Sequence, residues 1–537
     1  MKAALFLAVI FISVSFLVAC ASTKKATNPV RVKNPRQTDV VHVTGGDIQG
    51  ILNDAGTVEI YAGIPFAAPP VGELRWKEPA DVIPWSGVLK TDHFAPMAMQ
   101  NQMGRFMNFL FNLYTHQETS RTYKAPMSED CLYLNVWKPA PKKSAENPDS
   151  PLPVLVYIHG GALTSGQSWF ESYDGENLAK NGIIVVTVAY RVGIFGYFAD
   201  SDLAKESPNG TTGNYGLLDQ IKALDWVRKN IASFGGDPGN ITIAGESAGS
   251  SSVNAICASP LTKGFFRRAI AESSSIIEEK PLHSFRTMDD ALKMGADIKK
   301  EFKVSSVAQL RKIKAKKLLK SKYQNNSITV DGYALKETPF QTYQKGENHE
   351  EALLNGFNKS EGAAFTFFTK VNKKNLAEIL RPTFKERTQE FFEKNPVKDD
   401  KEAKALYNDI FSALCFTRPH ATWSKAVSGQ KKPVWEYYFS KENGEIGSNH
   451  SGELIYAYRN VPRNKKYNSS DYELEEIMSS YWINFVKTGN PNGTDTKGRP
   501  LPLWQEFSES GGKVLELGEN CLMTEDPFAY IYDYCSD

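Results

Sequence analysis

The chain has 537 residues, 41% apolar and 12% aromatic, with a formal net charge of +2. That composition suits a well-buried globular core, and its near-neutral balance gives no electrostatic reason to expect a nucleic-acid partner. Length alone would allow several domains, so their number has to come from pattern.

Met1 and Lys2 precede an apolar run from Ala3 to Leu17 that is too short for a comfortable membrane span and is flanked as a signal peptide is. Residues 1–19 read as an export signal. Their end, Leu17-Val18-Ala19-Cys20, resembles the lipobox of bacterial lipoproteins, in which cleavage falls before the cysteine and its thiol receives a diacylglyceryl group. The resemblance implies lipidation at Cys20 and a membrane-anchored protein on the exported side of the bacterial cell envelope. An ordinary secretory signal before an incidental cysteine is the competing reading. Residues 20–39 are polar and basic, with Pro29 and Pro35, and suit a flexible tether.

Farther along, the apolar stretch from Met103 to Tyr114 either lines a substrate entrance or packs in the core. Short β-branched runs then recur between longer segments: Val154 to Ile158, Ile183 to Ala189, Ile241 to Ala244, Ala269 to Ala271, Ala352 to Asn355 and Val434 to Phe439. This pattern predicts an α/β fold around a mainly parallel sheet buried on both faces. Met294 to Tyr323 is rich in lysine, including Lys312, Lys314, Lys316, Lys317, Lys320 and Lys322. A solvated helix with its apolar stripe packed inward is favoured there over a membrane-surface helix. No repeat is evident and no Gly/Ser- or Pro-rich linker divides the rest, so residues 40–537 form one domain with long insertions.

Gly245-Glu246-Ser247-Ala248-Gly249 matches the loose pattern Gly-x-Ser-x-Gly, which roughly one chain of this size in five would hold by chance. Context sharpens it, because the match follows the strand-like Asn240 to Ala244 and opens the small-residue helix Gly249 to Ala258. A serine on so sharp a strand-to-helix turn leaves no room for side chains at Gly245 and Gly249. Acyl transfer also needs donors aimed at a developing oxyanion. His159-Gly160-Gly161-Ala162, after the strand Val154 to Ile158, supplies the N–H groups of Gly161 and Ala162, with that of Ala248 as a third.

From about Thr38 onward the chain resembles the type-B carboxylesterase and cholinesterase family. The motifs stand in order: Gly63-Ile64-Pro65-Phe66-Ala67 with Gly72-Glu73-Leu74-Arg75, then Ser128-Glu129-Asp130-Cys131-Leu132-Tyr133-Leu134-Asn135-Val136-Trp137. Tyr190-Arg191-Val192-Gly193, the run from Gly213 to Gln220 and Phe234-Gly235-Gly236-Asp237-Pro238 lead into the elbow. The resemblance implies an α/β-hydrolase fold and a serine carboxylic-ester hydrolase working through an acyl-enzyme on small acyl or aryl esters. Its acid matches Glu361, in Gly356-Phe357-Asn358-Lys359-Ser360-Glu361-Gly362, and its histidine matches His450, in Ser448-Asn449-His450-Ser451-Gly452-Glu453-Leu454. Among eight histidines, His450 is chosen on the resemblance alone. Glu246 takes either the pocket floor or a structural place in the elbow. Arg75 with Glu129, and Arg191 with Asp219, match the family's internal ion pairs.

No tryptophan lies between Trp85 and Trp137, so the aromatic platform that recognises choline in cholinesterases has no counterpart in that loop. Lipidation of Cys20 leaves Cys131, Cys257, Cys415, Cys521 and Cys535, an odd number, so at least one is a free thiol. Cys131 has no upstream partner except Cys20 and is expected to be a buried thiol, whereas the resemblance implies a disulfide between Cys415 and Cys535. None of the five stands beside a histidine at metal-ligand spacing, and neither metal nor cofactor is expected. Two other functions stay open: hydrolysis of plant aromatic esters of the feruloyl type, and a non-catalytic adhesion module on the same fold.

Overall fold

The computed structural model describes residues 28–101, 126–141, 150–323, 325–442 and 448–535. The predicted signal of residues 1–19, Cys20 and the stretch Met103 to Tyr114 lie outside the described residues. From Asn28 the chain is already engaged, with Asn28 and Pro29 pairing against Phe94 and His93. Within the expected tether of residues 20–39, Asn28–Pro29 and residues 36–39 thus belong to strands, and the first long strand begins at Arg36.

Among the described residues thirteen strands share one sheet. In chain order they are β1 (Arg36–Val43), β2 (Gly46–Leu52), β3 (Val58–Pro65), β4 (Val88–Lys90), β5 (Tyr133–Pro139), β6 (Leu152–Ile158) and β7 (Ile184–Val188). Then come β8 (Gly236–Glu246), β9 (Arg268–Glu272), β10 (Ala352–Asn358), β11 (Val434–Phe439), β12 (Val514–Leu517) and β13 (Cys521–Thr524). Their spatial order is β13-β12-β11-β10-β9-β8-β6-β7-β5-β3-β2-β1, with β4 beside β2. The run from β12 to β7 is parallel, and antiparallel strands close both ends. Every strand predicted from the apolar runs is present.

The principal helices are α1 (Tyr215–Asn230), α2 (Ala248–Ala258), α3 (Met288–Glu301), α4 (Asp400–Ser412), α5 (Arg418–Gly429) and α6 (Ser469–Thr488). Side chains alternate across a strand, so each central strand feeds two cores. Val154, Val156 and Ile158 of β6 join the cluster beneath α1 and α2, whereas Leu155 and Tyr157 join the one beneath α6. Layers on both faces hold the sheet rigid, and the loops after the C-terminal ends of its parallel strands converge on one rim, where ligands bind in open α/β sheets.

The lysine-rich segment is broken: α3 ends at Glu301, and short turns follow at Val307–Arg311 and Ala315–Leu318. Leu310 and Leu318 pack with Trp76 and Phe198, while the six lysines named above are exposed. The apolar stripe thus faces inward, as expected, but on separate short helices. Among the described residues no helix is long and apolar enough to cross a membrane.

Arg75 grips Glu129 through Nε at 2.6 Å and Nη2 at 2.5 Å. Arg191 holds Asp219 in the same two-pronged way at 2.7 Å, and both are buried. Cys131 is a buried free thiol, as expected. Cys415 is also free, which corrects the expected bridge to Cys535. The Cys415 carbonyl accepts a hydrogen bond from His283 Nε2 at 2.6 Å.

Candidate active site

Ser247 sits between β8 and α2 with φ 55° and ψ −126°. A positive φ is strained for serine and persists only where the surroundings over-determine it. Two contacts explain why. The Ser247 N–H donates to the Glu272 carbonyl of β9 at 2.8 Å. A Cβ on Gly249 would lie 2.1 Å from the Ile158 carbonyl oxygen, and one on Gly245 would lie 2.5 Å from the Gly249 carbonyl carbon. Both glycines are therefore required by backbone packing alone, as the motif implied.

The loop after β6 wraps against this turn. A Cβ on Gly160 would lie 2.7 Å from the Glu246 carbonyl oxygen. Gly161, Ala162 and Leu163 all carry positive φ, at 104°, 53° and 57°. The Gly161 carbonyl accepts from the N–H groups of Thr164 and Ser165 at 3.0 Å, and Gly193 donates to the Leu163 carbonyl at 2.6 Å. Among the described residues the N–H groups of Gly161 and Ala162 find no acceptor, and Ala248 is the first residue of its helix, where an N–H has no partner four residues back.

Beneath the loop, His159 is fully buried, and burial drives its pKa down to about 4, so it is neutral. Its Nδ1 lies 2.8 Å from the Gly160 carbonyl, which fixes the proton on that nitrogen. The Tyr190 ring stacks on it at 4.4 Å and donates its hydroxyl to the His159 carbonyl at 2.8 Å.

His450 and Glu361 arrive from loops after β11 and β10. His450 Nε2 is 2.8 Å from Ser247 Oγ, and His450 Nδ1 is 2.6 Å from Glu361 Oε2. Glu361 is fully buried, and its Oε1 accepts the Asn358 N–H at 2.8 Å. Phe416 and Phe365 flank the imidazole with ring centroids 4.9 and 5.2 Å away. Glu246 Oε1 approaches His450 Nε2 at 3.2 Å and accepts the Ser451 hydroxyl. Burial would lower the His450 pKa, but the Glu246 and Glu361 carboxylates outweigh it and push it up to about 9. Burial raises Glu246.

The structure thus brings together Ser247, Glu361, His450, Gly161, Ala162 and Ala248. Cys20 lies outside the described residues. Sequence reasoning gave no role to Glu453 and Asn358, although both stand inside the motifs that located His450 and Glu361. Glu453 Oε2 accepts the Asn358 amide, and its Oε1 lies 3.3 Å from the Ser273 hydroxyl. The Asn358 amide also donates to the Asn449 carbonyl, one residue before His450, at 2.8 Å.

The carboxylesterase family's sequence profile matches residues 37–531. The chain belongs to the carboxylesterase family. It is 33% identical over 510 residues to a fumonisin B1 esterase of Sphingopyxis macrogoltabida, with 91% of this chain and 88% of that protein covered. Carboxylesterase 1D of Rattus norvegicus is 31% identical over 559 residues, covering 94% and 92%. Among solved structures, the Geobacillus stearothermophilus carboxylesterase superposes with a TM-score of 0.77 at 28% identity, covering 93% of this chain and all of that one. A PNB esterase gives 0.75 at 28% identity over 93% of this chain. The fold is accordingly α/β-hydrolase, and the chain is a serine carboxylic-ester hydrolase, as expected; neither the feruloyl-type nor the adhesion alternative is favoured.

Proposed function

We propose that Ser247 is the nucleophile, His450 its general base and acid, and Glu361 the residue that orients and charge-balances the imidazole. The observation that carries this reading is the unbroken chain from Ser247 Oγ to His450 at 2.8 Å and on to Glu361 at 2.6 Å. Ser247 Oγ attacks the ester carbonyl while His450 Nε2 takes its proton, and the tetrahedral oxyanion is met by the N–H groups of Gly161, Ala162 and Ala248. The C–O bond to the alcohol then breaks as His450 returns the proton to the leaving oxygen. Water, deprotonated by His450, attacks the acyl-enzyme and frees the acid and Ser247.

The substrates in this reading are small acyl or aryl esters. Choline esters are disfavoured, because the loop that would carry the cation-binding aromatic has no tryptophan between Trp85 and Trp137. Mass spectrometry after reaction with a fluorophosphonate tests the nucleophile: the expected adduct is on Ser247 and is lost in Ser247→Ala. An adduct elsewhere overturns the assignment.

The protein is further read as exported and held at the membrane by acyl chains on Cys20. Support comes from the apolar run Ala3 to Leu17 and the Leu17-Val18-Ala19-Cys20 match. Cys20→Ala should move the enzyme from the membrane to the soluble fraction, and retention of that variant in the membrane would end the anchor reading.

A further inference from the structure

Behind His450 lie four buried carboxyl groups, those of Glu246, Glu272, Glu361 and Glu453. Among the described residues their polar partners are neutral apart from the imidazole: Ser451 on Glu246, Trp482 and Tyr458 on Glu272, the Asn358 N–H on Glu361, and Asn358 and Ser273 on Glu453. Four buried negative charges against one imidazole that must itself be neutral to act as a base would carry a desolvation cost that no pairing offsets. Some of these groups therefore hold protons. Glu361 has to stay charged in the proposed triad, so the protons fall among the other three.

Glu453 is the one whose position matters to the geometry. Its Oε2 anchors the Asn358 side chain, whose amide also ties down the Asn449 carbonyl beside His450 at 2.8 Å, while the Asn358 backbone N–H fixes Glu361 Oε1 at 2.8 Å. A single asparagine thus holds both the acid and the histidine loop, and Glu453 holds the asparagine.

Resting on the triad reading above, we propose that Glu453 is a positioning residue that works as an uncharged carboxyl, bracing the Glu361 and His450 loops through Asn358. Its proton sits on Oε1 facing Ser273, which leaves Oε2 as the acceptor for Asn358. The groups around it agree. Glu246 comes from the end of β8, Glu272 from the end of β9, Glu361 from the loop after β10 and Tyr437 from β11, with His450 and Tyr458 on its own segment. Burial, reinforced by Glu246 and Glu361, raises Glu453 to about 8. Burial raises Glu272 well above the usual carboxylate range.

The test is a pair of variants in the full chain assayed on p-nitrophenyl butyrate. Glu453→Gln keeps both the shape and the neutrality, so kcat should stay within about threefold and the acid limb of kcat/KM should not move. Glu453→Leu removes the acceptor, so kcat should fall on the order of 10- to 100-fold with KM within about threefold. Were Glu453 ionised instead, its removal in the Gln variant would drop the acid limb by about one pH unit, since a lost negative neighbour lowers the His450 pKa. That shift, or a kcat loss beyond about tenfold in the Gln variant, overturns the proposal whether or not the Leu variant folds. Unchanged kcat in a folded Leu variant also overturns it. Fluorophosphonate labelling of Ser247 in each variant reports separately on the triad, so a failed brace and a misassigned nucleophile give different results.

Discussion

The two halves of the site are built by different physics. On the Ser247 side, the elbow and the oxyanion loop are backbone constructions: positive φ at Ser247, Gly161 and Ala162, and glycines at 160, 245 and 249 where any Cβ would strike a neighbouring main chain. On the His450 side, loops far apart in sequence are joined by side chains, with Asn358 reaching Asn449 and Glu453 across the gap. Steric exclusion is local and tolerates no substitution, whereas a buried polar network is long-range and tolerates a neutral isostere. The contrast predicts different responses to mutation.

The largest effect is expected where both halves meet. Ser247→Ala should lower kcat by roughly 10⁴ to 10⁶, because members of a triad act as a unit, and residual activity within tenfold of the parent enzyme would refute the nucleophile. Glu361→Gln comes next, at roughly 10³ to 10⁴, since an amide at 2.6 Å from His450 Nδ1 favours the wrong tautomer and cannot balance the imidazolium. Steady-state kinetics on p-nitrophenyl butyrate measures both.

Gly249→Ala isolates the backbone half. The added methyl would stand 2.1 Å from the Ile158 carbonyl oxygen, so α2 must shift away from β6 and carry Ser247 with it. We expect a loss of about 1–3 kcal/mol in stability and on the order of 10² in kcat, read by thermal unfolding and by kinetics on the folded fraction. A variant with unchanged Tm and kcat would show that the elbow is looser than the backbone contact implies.

How much of each half was legible in sequence follows from the same contrast. Backbone exclusion leaves glycines at fixed offsets, so Gly245, Gly249 and Gly160-Gly161 could be read directly, and the apolar runs located the parallel strands that carry them. The His450 side leaves no comparable trace. Its residues are separated by 89 positions between Glu361 and His450 and by 203 between Ser247 and His450, and nothing in the spacing marks which histidine folds back. His420 shows the difficulty. It is more deeply buried, accepting the Ser274 N–H at Nε2 and donating through Nδ1 to Asn355 Oδ1, yet it braces α5 against β10 rather than facing the nucleophile. Resemblance distinguished the two where periodicity could not. Glu453 and Asn358 were passed over because a buried carboxyl without a cation has no sequence signature at all. The Cys415 bridge failed for a related reason: position along the chain near a relative's cysteine does not set the Cα and Cβ geometry that a disulfide requires.

The smallest expected effect is also the most informative about the side-chain half. Glu246 lies 3.2 Å from His450 Nε2, on the nitrogen that must accept the Ser247 proton, and with Glu361 it raises the imidazole to about 9 against its ordinary value of 6.5. Only the neutral imidazole can act as base, so kcat/KM should rise with pH through the His450 pKa, with its acid limb above 6.5. Replacing Glu246 by Gln removes a neighbouring negative charge that favours the imidazolium, so the acid limb should move to lower pH, by about one unit. The plateau kcat should change by less than about tenfold, because the amide can still accept the Ser451 hydroxyl and the elbow backbone is untouched. A pH profile unmoved by this change would mean that Glu246 already carries a proton in the free enzyme, as its burial favours. The charge that tunes His450 would then belong to Glu361 alone, and the His450 side would be a network of neutral braces around one ionised carboxylate.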